Sequence, residues 1–263
     1  MPPGGILLAQ TLLGASARRG ALAGVPLKPG MSVVDVGTGF GIMAFELARL
    51  APITATGIDL DPQVLGVAAA VGRRVEEWLL PGSSVHFRVG DAMALPIADG
   101  AADLVTVRLV LQHLGDAPGA VREFARVLAP GGLLYILDVD DGLALSWPEP
   151  PKEVVTLEHA YASWQAGYGG DREIGRKLPG LLDAAGLEIT ETRLVSQAHY
   201  GTSPPGGPER TITAGRLAAA RAAMIAGGTI AEEEFDRCLA VLLAEPSVAR
   251  FRIESQVVVI GRR

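Results

Sequence analysis

The chain has 263 residues, 49% of them hydrophobic and 5% aromatic, with 29 acidic against 23 basic side chains and a formal net charge of −6. That length fits one large domain or a domain with an appended cap, and the hydrophobic share supports a sizeable core, which excludes wholesale disorder. An acidic balance, with basic residues no more clustered than Arg18-Arg19 and Arg73-Arg74, argues against nucleic acid as the main partner; a single cysteine, Cys238, excludes a disulfide framework or a Cys-based metal site.

Taken in chain order, residues 1–29 are expected to form an N-terminal helical segment packed on the domain. Their stretch ILLAQTLLGASA has the hydropathy of a leader, yet no basic residue precedes it, and the run is too short and interrupted to span a bilayer. A reduced, cytoplasmic setting with no membrane partner is therefore expected. MSVVDVG (Met31–Gly37) is rich in valine, entered through Lys-Pro-Gly and left through glycine, which predicts a buried strand. FGIMAFELARLA has apolar residues at helical spacing and predicts the helix that follows. ITATGIDL is the next strand, and Asp61 before Pro62 supplies an N-cap with proline at the first helical position, for a helix to about Trp78. SVHFRVGDA and ADLVTVRLV predict two further strands. APGAVREFARVLA is a helix ending at Pro130-Gly131-Gly132, before the strand LLYILDV. Strand and helix alternate with short breaks, the pattern of a parallel sheet covered on both faces.

After Asp141 the pattern changes. A proline-rich connection opens a region of cap helices over 141–185, and LEITETRLVS then predicts a strand. GTSPPGGPER is a loop, residues 214–244 are helical with a break at AGGTIAEEE where Thr229 can cap the second piece, and RFRIESQVVVIGRR is a final strand. The whole of 1–263 is expected to be one domain: a ligand-binding core over 30–140, the cap, and final strands over 186–263 that enclose a helical insert at about 205–248.

Three glycines at alternating positions, Gly37, Gly39 and Gly41, let a ligand approach the backbone, but several ligands suit them. A dinucleotide fingerprint needs a small residue where Ile42 stands, and a phosphate loop needs a lysine that is absent. What remains is D-x-G-x-G-x-G. Its Asp35 would repel a pyrophosphate but suits an ammonium group, or else caps the turn by bonding loop amides. Asp59, ending the second strand, can accept both hydroxyls of a ribose. In GDAMALP, Asp91 can accept from an adenine amino group, the Ala92 backbone can pair with the ring and Met93 can give apolar contact; Asp91 could equally be a turn former. All three acids sit at carboxyl ends of strands, where open α/β sheets bind ligands.

Together VVDVGTGFG, GIDLDP, GDAMALPIADGAADLVTVRLVLQHLGD and REFARVLAPGGLLYILD closely resemble the class I S-adenosylmethionine-dependent methyltransferases, over roughly residues 30–140 and in order. The resemblance implies a Rossmann-like α/β fold with a seven-stranded sheet of order 3-2-1-4-5-7-6, its last strand antiparallel, and S-adenosylmethionine as cofactor. It implies that Gly37, Thr38 and Gly39 cradle the methionine part and that Gly41 lets the helix start close by. Asp59 would hold the ribose with Leu60 beside the adenine, while Asp91 and Ala92 address its edge. Arg108 and His113 would lie where cofactor and acceptor meet. A more distant resemblance, in GGDREIGRKLPGLLDAAGLEI and the insert before the last strand, is to small-molecule methyltransferases of bacterial secondary metabolism, including antibiotic biosynthesis.

The acceptor is expected to be a small molecule, apolar or aromatic, and not a nucleic acid. A (D/N/S)-P-P-Y motif for base amino groups is replaced by Val107-Arg108-Leu109-Val110, and Cys238 sits in a helical pattern without the Pro-Cys of cytosine C5 chemistry. DVDDG (Asp138–Gly142) sends alternate side chains to opposite faces, so no metal is expected. All four tyrosines and two of the three tryptophans lie between 135 and 200, which suggests an aromatic-lined cap, or simply cap helices packed on the sheet. Tyr168 and His199 are the expected acceptor-facing polar groups, with His113 a third, although it could instead only position a helix. A homo-oligomer is compatible with this reading. The alternative reaction is a cyclase or pericyclase that keeps S-adenosylmethionine without transferring its methyl group. A nicotinamide oxidoreductase is disfavoured by Ile42 and the Asp91 motif, and a binding-only module by an intact donor site.

Overall fold

Val33, Val34 and Val36 are buried on both faces of a five-residue strand, β1 (Ser32–Val36), and the structure is organised around it. In this computed structural model residues 15–22, 24–202, 206–244 and 248–263 are described; most of ILLAQTLLGASA and part of GTSPPGGPER lie outside the described residues. On one side of β1 lie β2 (Thr54–Asp59) and β3 (Ser84–Val89), and on the other β4 (Ala102–Arg108) and β5 (Leu128–Val139), all parallel. Near-continuous burial of β1 and β4 is what a parallel strand with both faces covered requires.

One face is covered by α4 (Ala117–Val127) and α6 (Leu178–Ala184), whose Phe124, Val121 and Leu178 pack with Val34, Val36 and Val105. The other is covered by α1 (Ala15–Leu22) and α2 (Ile42–Ala48), which set Ala21, Met43 and Leu47 against Val33, Leu104 and Tyr135. Between β2 and β3 runs α3 (Pro62–Val75), whose Asp61 side chain accepts from the amides of Gln63 (2.8 Å) and Val64 (3.5 Å), a cap of about 1 kcal/mol, and a short 3-10 turn carries it to Trp78.

The last described strand, β8 (Ala249–Arg262), is antiparallel and threads between β5 and β7 (Glu188–Thr202). The resulting order is β3-β2-β1-β4-β5-β8-β7, the predicted arrangement with one addition. Where β5 runs out, a three-residue strand β6 (Leu145–Trp147) takes over the same edge of β8. Its sequence did not announce it: Leu145 and Trp147 both face outward, and the pairing is made by a partner more than a hundred residues away. β7 also continues through His199 and Tyr200 to Thr202, because β8 pairs it all the way; the predicted strand stopped at Ser196.

Over the carboxyl ends of the strands sits a separate helical cluster. α5 (Lys152–Gly167), α7 (Pro208–Ala226) and α8 (Glu232–Ala244) bury Leu157, Leu217, Met224, Phe235 and Cys238 together. Thr229 does not cap α8 as predicted. Its hydroxyl donates to the Met224 carbonyl (2.9 Å) and closes the end of α7, while α8 begins with three glutamates that suit the positive end of a helix.

Candidate functional site

β2 and β4 leave β1 in opposite directions, so a crevice opens at its carboxyl end, and the glycine loop fills that point. Gly37 and Gly41 hold left-handed backbone (φ 66° and 77°), which turns the chain from β1 into α2 within a few residues. A methyl at Gly37 would sit 2.3 Å from Val110 Cγ2, and one at Gly41 would sit 2.5 Å from Phe87 Cζ. Gly37→Ala is therefore expected to lower unfolding stability by about 2–4 kcal/mol, measured by urea denaturation. An unchanged midpoint would mean that the turn is not the tight one described.

The loop is tied down from two sides. Asp59 Oδ2 accepts from the Gly39 amide (2.8 Å) and Oδ1 from the Asp61 amide (3.1 Å), so this carboxylate has partners within the chain. Asp35, 2% exposed, accepts from the hydroxyls of Thr38 (2.6 Å) and Thr106 (2.9 Å). Thr106 stands opposite it in the β1–β4 pairing. Burial pushes the Asp35 carboxyl up to about 6, against the two hydroxyl bonds and the nearby Arg108. Arg108 ends β4, and its buried Nε has no hydrogen-bond partner among the described residues. Burial, and then the like charge of Arg18, pull its guanidinium below the usual range. Arg18 itself is buried and paired with Glu46 (2.7 and 2.9 Å).

A cavity of about 860 Å³ runs from this loop to the helical cluster. Of the residues singled out in the sequence, Asp35, Gly37, Thr38, Gly39, Arg108, His113 and His199 line it. Asp59, Leu60, Asp91, Ala92 and Met93 do not; they lie at the neighbouring ends of β2 and β3, with Leu60 70% exposed. Asp91 does form a turn, accepting from the Met93 amide (2.9 Å) while remaining exposed. Met93 and Ala92 pack on the core from its edge.

Past β4 the chain makes a strained step. Leu109 has φ 58°, a conformation costing a branched residue about 1–2 kcal/mol, and it precedes the 3-10 turn that carries His113. Asp138, fully buried at the end of β5, holds this turn by accepting from the Gln112 amide (3.3 Å). His113 Nδ1 lies 3.1 Å from Gln165 Nε2 of α5. Burial, then the charges of Arg172 and Arg216, keep His113 below the usual imidazole pKa, so the ring is neutral at pH 7. The Gln165 amide engages Nδ1, which leaves Nε2 as the ring nitrogen open to a further partner.

Tyr168 is not part of the cavity wall. It caps the end of α5, is 47% exposed and packs edge-on against Trp164 (5.2 Å), so it backs an aromatic residue that does line the cavity. His199 stands on β7 opposite Arg252. Of the cap aromatics, Tyr161 and Trp164 face the cavity, while Trp147 is 70% exposed on β6. The acids of DVDDG are engaged: Asp140 pairs with Arg176 (2.8 and 2.6 Å), and Asp141 pairs with Arg172 (2.8 and 2.7 Å). Sequence reasoning missed Arg18, Arg172 and Arg216, all on the cavity wall, because they come from three separate elements and form no motif.

Residues 34–136 match a family model described as a methyltransferase domain. Demethylmenaquinone methyltransferase of Thermus thermophilus is 38% identical over 121 residues, 46% of this chain and 49% of that protein. The chain spans about half the length of the curated relatives it matches. Among solved structures, an S-adenosylmethionine-dependent methyltransferase from Methanosarcina mazei superimposes with a TM-score of 0.56 at 17% identity, covering 90% of this chain and 94% of that one. The [4+2]-cyclase SpnF does so with a TM-score of 0.58 at 23% identity, covering 94% and 80%.

Proposed function

We propose that this chain, which carries a methyltransferase domain on the class I S-adenosylmethionine-dependent fold, transfers a methyl group from that cofactor to a small-molecule acceptor. The observation that carries the proposal is the single cavity joining the glycine loop to the capped, aromatic-walled space. The residues of its wall and of the adjoining ends of β2 and β3 suit the cofactor group by group. Asp35 offers a negative charge to the ammonium, and the orphaned Nε of Arg108, with Arg18 beside it, suits the carboxylate. Asp59, outside the cavity wall at the end of β2, is the candidate for the ribose, and Leu60 with the Asp91–Met93 turn is the candidate for the adenine. Bound there, S-adenosylmethionine supplies a methyl group already activated by its sulfonium charge.

What the chain must add is alignment and exclusion of water, an effect worth up to about 7–11 kcal/mol when geometry is held well. The strained Leu109 step, fixed through Asp138, sets His113 at the cavity wall. The Nε2 of that ring, free of the Gln165 contact, hydrogen-bonds and orients an acceptor oxygen or nitrogen. Tyr161 and Trp164 enclose an apolar or aromatic acceptor body, as expected of a natural product. Among the described residues no helix is long and apolar enough to cross a membrane.

The test is product mass after incubation with methyl-labelled S-adenosylmethionine and a panel of aromatic and polyketide-like acceptors. A labelled product heavier than its acceptor by one methyl group in place of a hydrogen is the expected result. Conversion at unchanged mass, with the cofactor required but not consumed, would replace methyl transfer by the cyclase reaction.

A further inference from the structure

The cavity is richer in arginine than an apolar acceptor needs. Arg18 is paired with Glu46, Arg172 with Asp141, and Arg252 with Glu209 (2.5 Å), while Arg108 faces Asp35 and the glycine loop. Arg216 of α7 is different. Its guanidinium carbon lies 4.7 Å from the centre of the Tyr161 ring, and no carboxylate of the described residues reaches ion-pair or hydrogen-bond distance of it. Glu158 and Asp141 act on it only through longer-range attraction.

We propose that the acceptor carries a carboxylate, held by the guanidinium of Arg216 where it lies over the Tyr161 ring at the cavity wall. This deepens the methyl-transfer reading of the same cavity and rests on it. A cation without a counter-ion, partly withdrawn from water, is unfavourable unless an anion is to meet it. Its place over the face of Tyr161 holds the guanidinium at the cavity wall, and its N–H groups suit a planar, two-oxygen partner. Burial and then Arg172 depress the Arg216 pKa, but the group stays charged at any working pH. The charge balance also selects among anions. Glu254 stands on the same wall and the other arginines are paired or turned to the glycine loop, so the wall's charges are already close to balance. One carboxylate suits Arg216, while a diphosphate would bring further negative charge that nothing in the wall neutralises. Tyr161 and Trp164, 5.4 Å apart and tilted by 53°, then enclose the body of the molecule beside its carboxylate. Arg216 lies in the helical insert, outside the matched residues 34–136, where an acceptor-specific contact is expected.

The experiment is calorimetry on the full chain, first with S-adenosylhomocysteine alone and then, on the saturated complex, with benzoate, 4-hydroxybenzoate and cinnamate against their neutral amides. Carboxylates should bind about tenfold or more tightly than the matching amides. Arg216→Gln should erase that difference, and Arg216→Lys should restore part of it, with S-adenosylhomocysteine affinity unchanged in both. Equal binding of acid and amide, failure of every carboxylate to bind, or phenyl phosphate outcompeting benzoate would overturn the proposal. The acid–amide comparison on the unmodified protein stands even if a variant does not fold. Failure to bind S-adenosylhomocysteine overturns the methyl-donor reading instead, and the carboxylate comparison is then made on the protein alone.

Discussion

Replacing Asp59 with alanine is expected to weaken S-adenosylmethionine binding by a factor of about 10²–10⁴. Two charged hydrogen bonds to a ribose contribute about 1.5–3 kcal/mol each, and each 1.4 kcal/mol is tenfold. The structure adds a second reason: the same carboxylate accepts from the Gly39 amide and so fixes the loop that lines the cavity. The two effects separate in Asp59→Asn, whose remaining carbonyl can keep the Gly39 bond but loses the charge; it should fall between the wild type and alanine. Titration calorimetry with S-adenosylmethionine decides. An alanine variant that binds within threefold of the wild type would remove the ribose from this position.

Asp35→Asn is expected to have the second-largest effect, with a signature in pH. Burial raises the folded-state carboxyl to about 6 from the ordinary 3.8, so the neutral form is favoured by folding. The sign follows: between about pH 4 and 6 the folded protein binds more protons than the unfolded one, and this group's share of stability grows as pH falls. Binding an ammonium needs the ionised form, so cofactor affinity should fall about tenfold per pH unit below 6 in the wild type. In Asp35→Asn the affinity should be low at neutral pH, by about 10–100-fold, and this pH slope should vanish, while thermal stability at pH 7 is kept or raised. Asp138 is also pushed up to about 6 by burial, so the Asn variant is the comparison that assigns the slope to Asp35. A wild-type affinity flat from pH 8 to 5 would exclude Asp35 from cofactor binding.

The residues legible in the sequence are those whose geometry is local. Asp35 and Gly37–Gly41 form one strand-to-helix turn, and Asp59 and Asp91 each end a strand whose valines and isoleucines announce it. Asp61-Pro62 capped α3 as its spacing predicts. What stayed hidden depends on partners far along the chain. β6 exists because β8 outlasts β5, and the pairing of His199 with Arg252 is a matter of register. Helix phase explains Tyr168: Tyr161, Trp164 and Tyr168 stack along α5, but the last stands at its C-cap and leans on its neighbour from outside. Arg18, Arg172 and Arg216 of the cavity wall come from α1, from the turn after α5 and from the insert, and only the fold brings them together.

The position of β8 has a consequence for how the molecule is made. Leu133 of β5 waits for Arg262, and no other described strand supplies the hydrogen bonds of that edge over 133–139. At roughly 5–20 residues per second of synthesis, the wait is on the order of ten seconds, with a half-bare strand carrying Leu134 and Ile136 open to wrong partners. The late strand also delivers Arg252, Glu254 and Gln256 to the cavity wall. A nascent chain on the ribosome therefore carries its glycine loop long before the strand that completes the pocket wall has been made.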